Sequence, residues 1–289
     1  MINLNIAGAA VHYNSFINKI PVLKLRNKEI NFNVYEGPNL CQWNGGRINR
    51  DIILSEEMIN RYNKLGITVS LTFTNPTIDL TDPIGNELLR VLSDSQKMYG
   101  VQNKIILVNE ELRKYLRNRY DFELIYSITG HPSAVKINDE LINYYLNLES
   151  KYDWVVPKFE VVFQPRFIEN TNCEKYELLI NDTCVYGCPY YFEHFRAIAE
   201  QNTLYKNPWE DLGHIQCHKV EECWLPNFNP DVGSQKQRDR YGEKMGMDYT
   251  KDMLIKALQI GYKSFKLSGR ENTAELVTEQ VATFLKDIK

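Results

Sequence analysis

The 289-residue sequence has no run of apolar residues long enough to cross a bilayer, since a spanning helix needs about 20 in succession. Its amino terminus, Met1 to Ala10, sets no basic stretch ahead of a long apolar one, so it lacks the pattern of an export signal. Together these absences place the chain in the cytoplasm, with no membrane partner. Excess positive charge is missing too: 34 Lys and Arg stand against 37 Asp and Glu, a formal net charge of -3. Contact with nucleic acid would then need a local patch, not a basic surface as a whole. Six cysteines are too few for a disulfide scaffold in a chain of this length. In a reducing compartment, clustered thiols bind metal or carry redox chemistry. No Gly-x-Gly-x-x-Gly follows a strand, and there is no His-Glu-x-x-His helix and no Gly-x-Ser-x-Gly elbow. Dinucleotide binding, zinc peptidase and serine hydrolase chemistry therefore find no motif here.

What is present is a repeating alternation. Asn31 to Pro38 reads as a strand ending in turn residues, with a loop from Asn39 to Arg47. Ser55 then caps a helix whose stripe of Met58, Ile59, Tyr62 and Leu65 ends at Gly66. Further strands are predicted at Thr68–Thr74, Lys104–Val108, Glu123–Thr129, Asp153–Pro157, Tyr176–Asn181 and Lys263–Leu267. Helices fall between them over Asn86–Tyr99, from Asn109 through Leu116, and over Asp139–Leu148, with one more after Arg270. With 43% hydrophobic residues and about seven or eight such units, the economical closure is one (β/α)8 TIM-barrel-like domain over residues 1–289. An open doubly wound sheet is the alternative. Residues 202–249, rich in Trp, Pro, Asn and Cys, break the rhythm and read as a long irregular insertion between late strands.

The stretch Glu177–Pro189 stands out as an apolar strand running into Cys184 and Cys188, a C-x3-C pair. Cys217 and Cys223 follow among His214, His218, Glu221 and Glu222. Four converging thiols suit an iron–sulfur cluster or a tetrahedral zinc. Packing as small hydrophobes is the ordinary fate of buried cysteine. The radical S-adenosylmethionine pattern needs a third cysteine where Tyr191 stands. Cys41 and Cys173 read as spare, with Cys41 near enough to the same face of a barrel to be a nucleophile or substitute ligand. His131, His194, His214 and His218 are acid–base or ligand candidates beside ordinary structural roles. Arg47, Asn75, Lys266 and Arg270 fall at strand ends, which a barrel gathers on one face, and their donors suit a carboxylate or phosphate.

Four segments resemble the collagenase-like peptidase U-32 family. Val69–Asn75 looks like that family's strand ending in Thr-x-Asn, and Tyr126–Thr129 like its Ser-Thr strand. Glu177–Cys188 is similar to its strand leading into the first two cysteines, and Lys266–Arg270 resembles its Lys-Ile-x-Gly-Arg signature. The likeness runs over about residues 30 to 285. The chain departs from it in a closer first cysteine pair, in Ser268 where an acidic residue is usual, and in a start without Pro-Ala-Gly.

By resemblance to the hydroxylase branch of that family, Cys184, Cys188, Cys217 and Cys223 would hold a [4Fe-4S] cluster. The implied activity is oxygen-independent hydroxylation or related redox chemistry on a small molecule or RNA. Arg47, Asn75 and Arg270 would then position an anionic substrate. Two other readings stand beside it: a collagenase-like peptidase, and a zinc-stabilised, non-enzymatic protein whose aromatic loop (Tyr186, Tyr190, Tyr191, Phe192, Phe195, Trp224) binds a protein partner. The sequence fixes no oligomeric state.

Overall fold

In the computed structural model, the described residues are 1–45, 53–132, 137–185, 245–269 and 272–288, together with Phe192, Phe195, Arg196 and Ala199; residues 182–185 and 245–248 are described as backbone. Eight parallel strands make one sheet. In chain order they are β1 (Ile2–Ala7), β2 (Ile30–Glu36), β3 (Thr68–Phe73), β4 (Lys104–Leu107), β5 (Glu123–Tyr126), β6 (Trp154–Val155), β7 (Glu177–Leu179) and, after an excursion, β10 (Ser264–Leu267). β10 sits between β7 and β1, and a parallel bridge from Val155 to Tyr176 brings β6 to the start of β7. The sheet is thereby a nearly closed α/β barrel of the TIM type.

Helices cover its outside: α1 (Tyr13–Arg26), α2 (Glu56–Lys64), α3 (Pro83–Tyr99), α4 (Glu110–Arg117), α5 (Asp139–Lys151), the short α6 (Phe159–Val162) and α7 (Pro165–Asn170), α8 (Lys251–Ile260) and α9 (Ala274–Asp287). Their starts are written in the sequence. The side chains of Ser55, Asp82, Asn109, Asn138, Thr250 and Thr273 each accept a hydrogen bond from a first-turn amide, satisfying donors that a helix end leaves open. Helix α3 begins three residues before the sequence-based start because Asp82 caps it and Pro83 takes its first turn.

The first repeat is an addition to the sequence reading. β1 alternates Asn3 and Asn5 with Leu4 and Ile6, a strand pattern, while Pro21 in the interior of α1 spoils the signature of the helix that completes the repeat. A second difference concerns Glu177–Pro189. The barrel strand stops at Leu179, and Asn181–Val185 forms β8, which pairs antiparallel with β9 (Met245–Asp248) in a separate two-stranded sheet. The excursion from β8 to β9 leaves and re-enters at the carboxyl end of the barrel. Residues 202–244 of the expected irregular insertion lie outside the described residues, and Met245–Asp248 within that range is strand.

Alternation along the strands sorts the core. Leu4, Ile6, Phe32, Val34, Val69, Leu71, Phe265 and Leu267 face the helices in one large cluster. A small cluster of Ala7, Tyr35, Ile106, Ile125 and Val156 fills the carboxyl half of the barrel interior. The other half is polar: Asn5, Asn33, Ser70, Lys104, Glu177 and Ser264 are all buried there. Asn5 donates to Glu177, the Ser264 hydroxyl lies 3.2 Å from Glu177 Oε2, and Lys266 Nζ is 3.8 Å from Glu177 Oε1.

Candidate functional site

The carboxyl ends of the strands carry the loops on which barrel chemistry is built, and here those loops are tied to one another by polar side chains. Asn75 follows β3. Its amide Nδ2 donates to the Gln42 carbonyl at 2.7 Å, its Oδ1 accepts from the Thr77 amide at 2.9 Å, and its own N–H donates to the Trp43 carbonyl at 3.0 Å. The β2 and β3 loops are thus one unit, closed by a near contact: a Cβ on Gly45 would lie 2.3 Å from the Thr74 carbonyl oxygen. Trp43 anchors the unit, buried edge-on against Phe73 with its indole N–H on the Asp79 carbonyl at 2.6 Å. Asn109 adds the β4 end, donating to the Pro76 carbonyl at 2.8 Å while it caps α4.

The loop after β5 turns through Ile128–Gly130, where Ser127 Oγ accepts from the Thr129 amide, and ends on His131. His131 is wholly buried. Its Nε2 lies 2.7 Å from the Val156 carbonyl and its Nδ1 3.1 Å from the Tyr144 hydroxyl. A carbonyl only accepts, so Nε2 carries the proton and Nδ1 accepts from Tyr144. Burial pushes the imidazole down to about 3, so it is neutral and serves to join the β5 loop to the end of β6.

Between the ends of β3, β4 and β5 lies a pocket of about 290 Å³. Thr74, Asn109, Glu110, Tyr126 and Thr129 form its barrel side. Phe192, Phe195 and Arg196, from the excursion beyond β8, form the other. Aromatic faces stand beside hydroxyl, amide and carboxylate groups, a lining suited to a flat, polar molecule. Glu110 is paired with Arg113 at 2.7 Å, and that hydrogen bond holds its carboxyl below the usual range. It is an acceptor or a fixed negative charge.

Of the residues expected to matter, Asn75 is at the mouth with both ends of its amide engaged by loop backbone. Lys266 lies inside the barrel, its Nζ 4.2 Å from the Tyr35 ring centre and close to Glu177, and not out on a substrate surface. Burial pushes the Glu177 carboxyl up, against the pull of the Lys266 and Lys104 ammoniums. Cys41 is buried under the β2 loop, its Sγ 3.7 Å from Asp82 Oδ2, and burial pushes the thiol up to about 12, which leaves it unreactive. Cys184 is on β8. Arg47, Cys188, Cys217, Cys223, Arg270, His194, His214 and His218 lie outside the described residues. Among the described residues, no three His, Cys, Asp or Glu side chains are grouped to hold a metal ion, and no helix is long and apolar enough to cross a membrane. Arg196 and Tyr144 escaped the sequence reading, since only the fold brings Tyr144 beside Tyr126 and His131 and Arg196 to the pocket.

Neither the profile of any protein family nor any curated protein matches the sequence. Solved structures do match in shape. One is the U32 peptidase Mk0906, which superposes with a TM-score of 0.52 over 93% of this chain and 93% of its own, at 10% sequence identity. At that identity the likeness is one of fold: this chain has a barrel similar to that of a U32 peptidase.

Proposed function

We propose that the chain is an enzyme on a U32-like barrel that takes a small molecule or an RNA nucleotide into the pocket at the carboxyl ends of β3 to β5. In this reading Cys184, Cys188, Cys217 and Cys223 hold an iron–sulfur cluster, and the reaction is an oxygen-independent hydroxylation or a related redox step. One observation carries the reading: the segment that bears the first two cysteines also supplies Phe192, Phe195 and Arg196 to the pocket. Cys188 precedes Phe192 by four residues, so chain reach alone keeps their Cα atoms within about 14 Å. The donor set fits the group, since four thiolates are the usual ligands of a cluster. When bound, the cluster supplies one-electron redox chemistry.

The chain's own residues do the rest. Phe192, Phe195 and Tyr126 accept a planar ring and exclude water from it. Asn109, Thr129 and Glu110 orient its polar edge, and Arg196 together with Arg47 and Arg270 receives an anionic group. Asn75 acts through the loops it holds, as a positioning residue.

Anaerobic purification followed by iron, zinc and acid-labile sulfide determination tests this. About four irons and four sulfides per chain, with a broad visible band, is the expected result, and Cys184→Ser should lose both. Zinc without sulfide would favour the zinc-stabilised binding protein, and no metal would overturn the reading. The fold likeness to a U32 peptidase supports a second reading. Hydrolysis of casein or gelatin that survives both chelation and Cys184→Ser would replace redox chemistry with proteolysis.

A further inference from the structure

The opposite end of the barrel holds a second cavity, of about 300 Å³. That is at the lower end of the roughly 300–1,000 Å³ typical of small-molecule sites. Asn33, Thr68, Lys104, Glu123 and Trp154 line it from β2, β3, β4, β5 and β6. It is remote from the pocket proposed to take substrate and independent of that reading.

Its one carboxylate is already paired. Lys104, 6% exposed, sets its Nζ 2.8 Å from Glu123 Oε2. The Trp154 indole N–H donates to the same oxygen at 3.1 Å. The other ammonium, that of Lys24, reaches the Gly66 carbonyl at 2.5 Å.

What the lining leaves open is a mixed set of acceptors and donors. Three amides each commit one N–H, that of Asn33 to the Asn31 carbonyl, that of Asn31 to Asn3 Oδ1 and that of Gln102 to the Asp121 carbonyl, and each keeps a second, while among the described residues no acceptor meets the Asn3 amide nitrogen. Among the described residues, no donor reaches Asn31 Oδ1, Asn33 Oδ1, Gln102 Oε1 or Glu123 Oε1, and the Thr68 hydroxyl has no partner.

This inventory selects a ligand class. An anion would find ammonium N–H groups but would also face open oxygen acceptors to which it has nothing to donate. A cation would meet a lining with one more positive than negative charge. A neutral, hydroxyl-rich molecule donates hydrogen bonds to the open acceptors and accepts them from the open N–H groups, exchanges one with Thr68, and lays its C–H surface against the indole. We propose that this amino-terminal cavity binds a monosaccharide or polyol, recognised by Asn31, Asn33, Gln102, Glu123 and Trp154.

Saturation-transfer NMR on the full chain, with D-glucose, D-ribose and myo-inositol as probes and inorganic phosphate and putrescine as ionic competitors, tests the site. Saturable binding of at least one polyhydroxylated probe is expected, without competition from phosphate or putrescine. Asn33→Ala and Thr68→Val should each weaken binding about tenfold, the effect of one well-placed hydrogen bond. Thr68→Val keeps the shape of the side chain, so it remains informative if Asn33→Ala fails to fold. The proposal is overturned if no polyhydroxylated probe binds, if binding is unchanged in Thr68→Val, or if phosphate or putrescine alone binds.

Discussion

His131 and Val156 are joined ring to backbone: the imidazole Nε2 donates to the carbonyl oxygen at 2.7 Å, across the gap between the β5 loop and the end of β6. The ring is also packed against Tyr126, Tyr144 and Tyr145, with centroids 5.0 to 5.6 Å away. Its folded value of about 3 lies below the ordinary value of 6.5. Above pH 6.5 both states are neutral at this residue. As pH falls from there toward about 3 the unfolded chain binds a proton that the folded chain refuses, and stability is lost. The slope is at most about 1.4 kcal/mol per pH unit. Urea unfolding at about pH 5 and about pH 7 should show this loss in the native chain and a smaller one in His131→Phe.

Asn181 grips Ser268 on both sides. Its Oδ1 accepts from the Ser268 amide at 2.7 Å and its Nδ2 donates to the Ser268 carbonyl at 2.9 Å. Asn181→Ala leaves both backbone groups without that partner and should destabilise the chain by about 1–3 kcal/mol. Hydrogen exchange at the Ser268 amide should speed up by more than it does at the centre of β10.

Lys266 and Glu177 face each other inside the barrel, where water is scarce. Lys266→Met should cost about 3–5 kcal/mol, because it strands a buried carboxyl. Adding Glu177→Leu should recover part of that loss. Denaturant midpoints of the two single variants and the double variant give the coupling, and additive losses would mean that the two groups act separately.

The Cys41 thiol should resist alkylation in the folded chain. Mass spectrometry after iodoacetamide treatment should find Cys173, partly buried on its short turn, labelled well before fully buried Cys41. Early labelling of Cys41 would restore it as a candidate nucleophile.

The barrel was legible because its outward faces are: the caps at Ser55 and Asn109, the stripe on α2 and the runs at β3 and β4 each announce an element locally. Gly66 falls just past α2 with φ +67, as its place in the sequence implies. The inward faces were not legible. Asn5 has no visible role until Glu177, 172 positions later, supplies a partner. The end of β7 was hidden for the same reason, since the grip of Asn181 on Ser268 spans 87 positions. At the mouth, the strand ends were legible one by one, while the pocket itself depends on Phe192 and Arg196 folding back over β3 to β5.

The barrel is a hoop with seven laddered seams and one clasp, the single bridge between Val155 and Tyr176. β6, its shorter neighbour there, has two residues. Here the clasp lies beside β7, the strand from which the cysteine-bearing segment departs, so the seam with the fewest backbone contacts adjoins the point where that segment leaves the barrel.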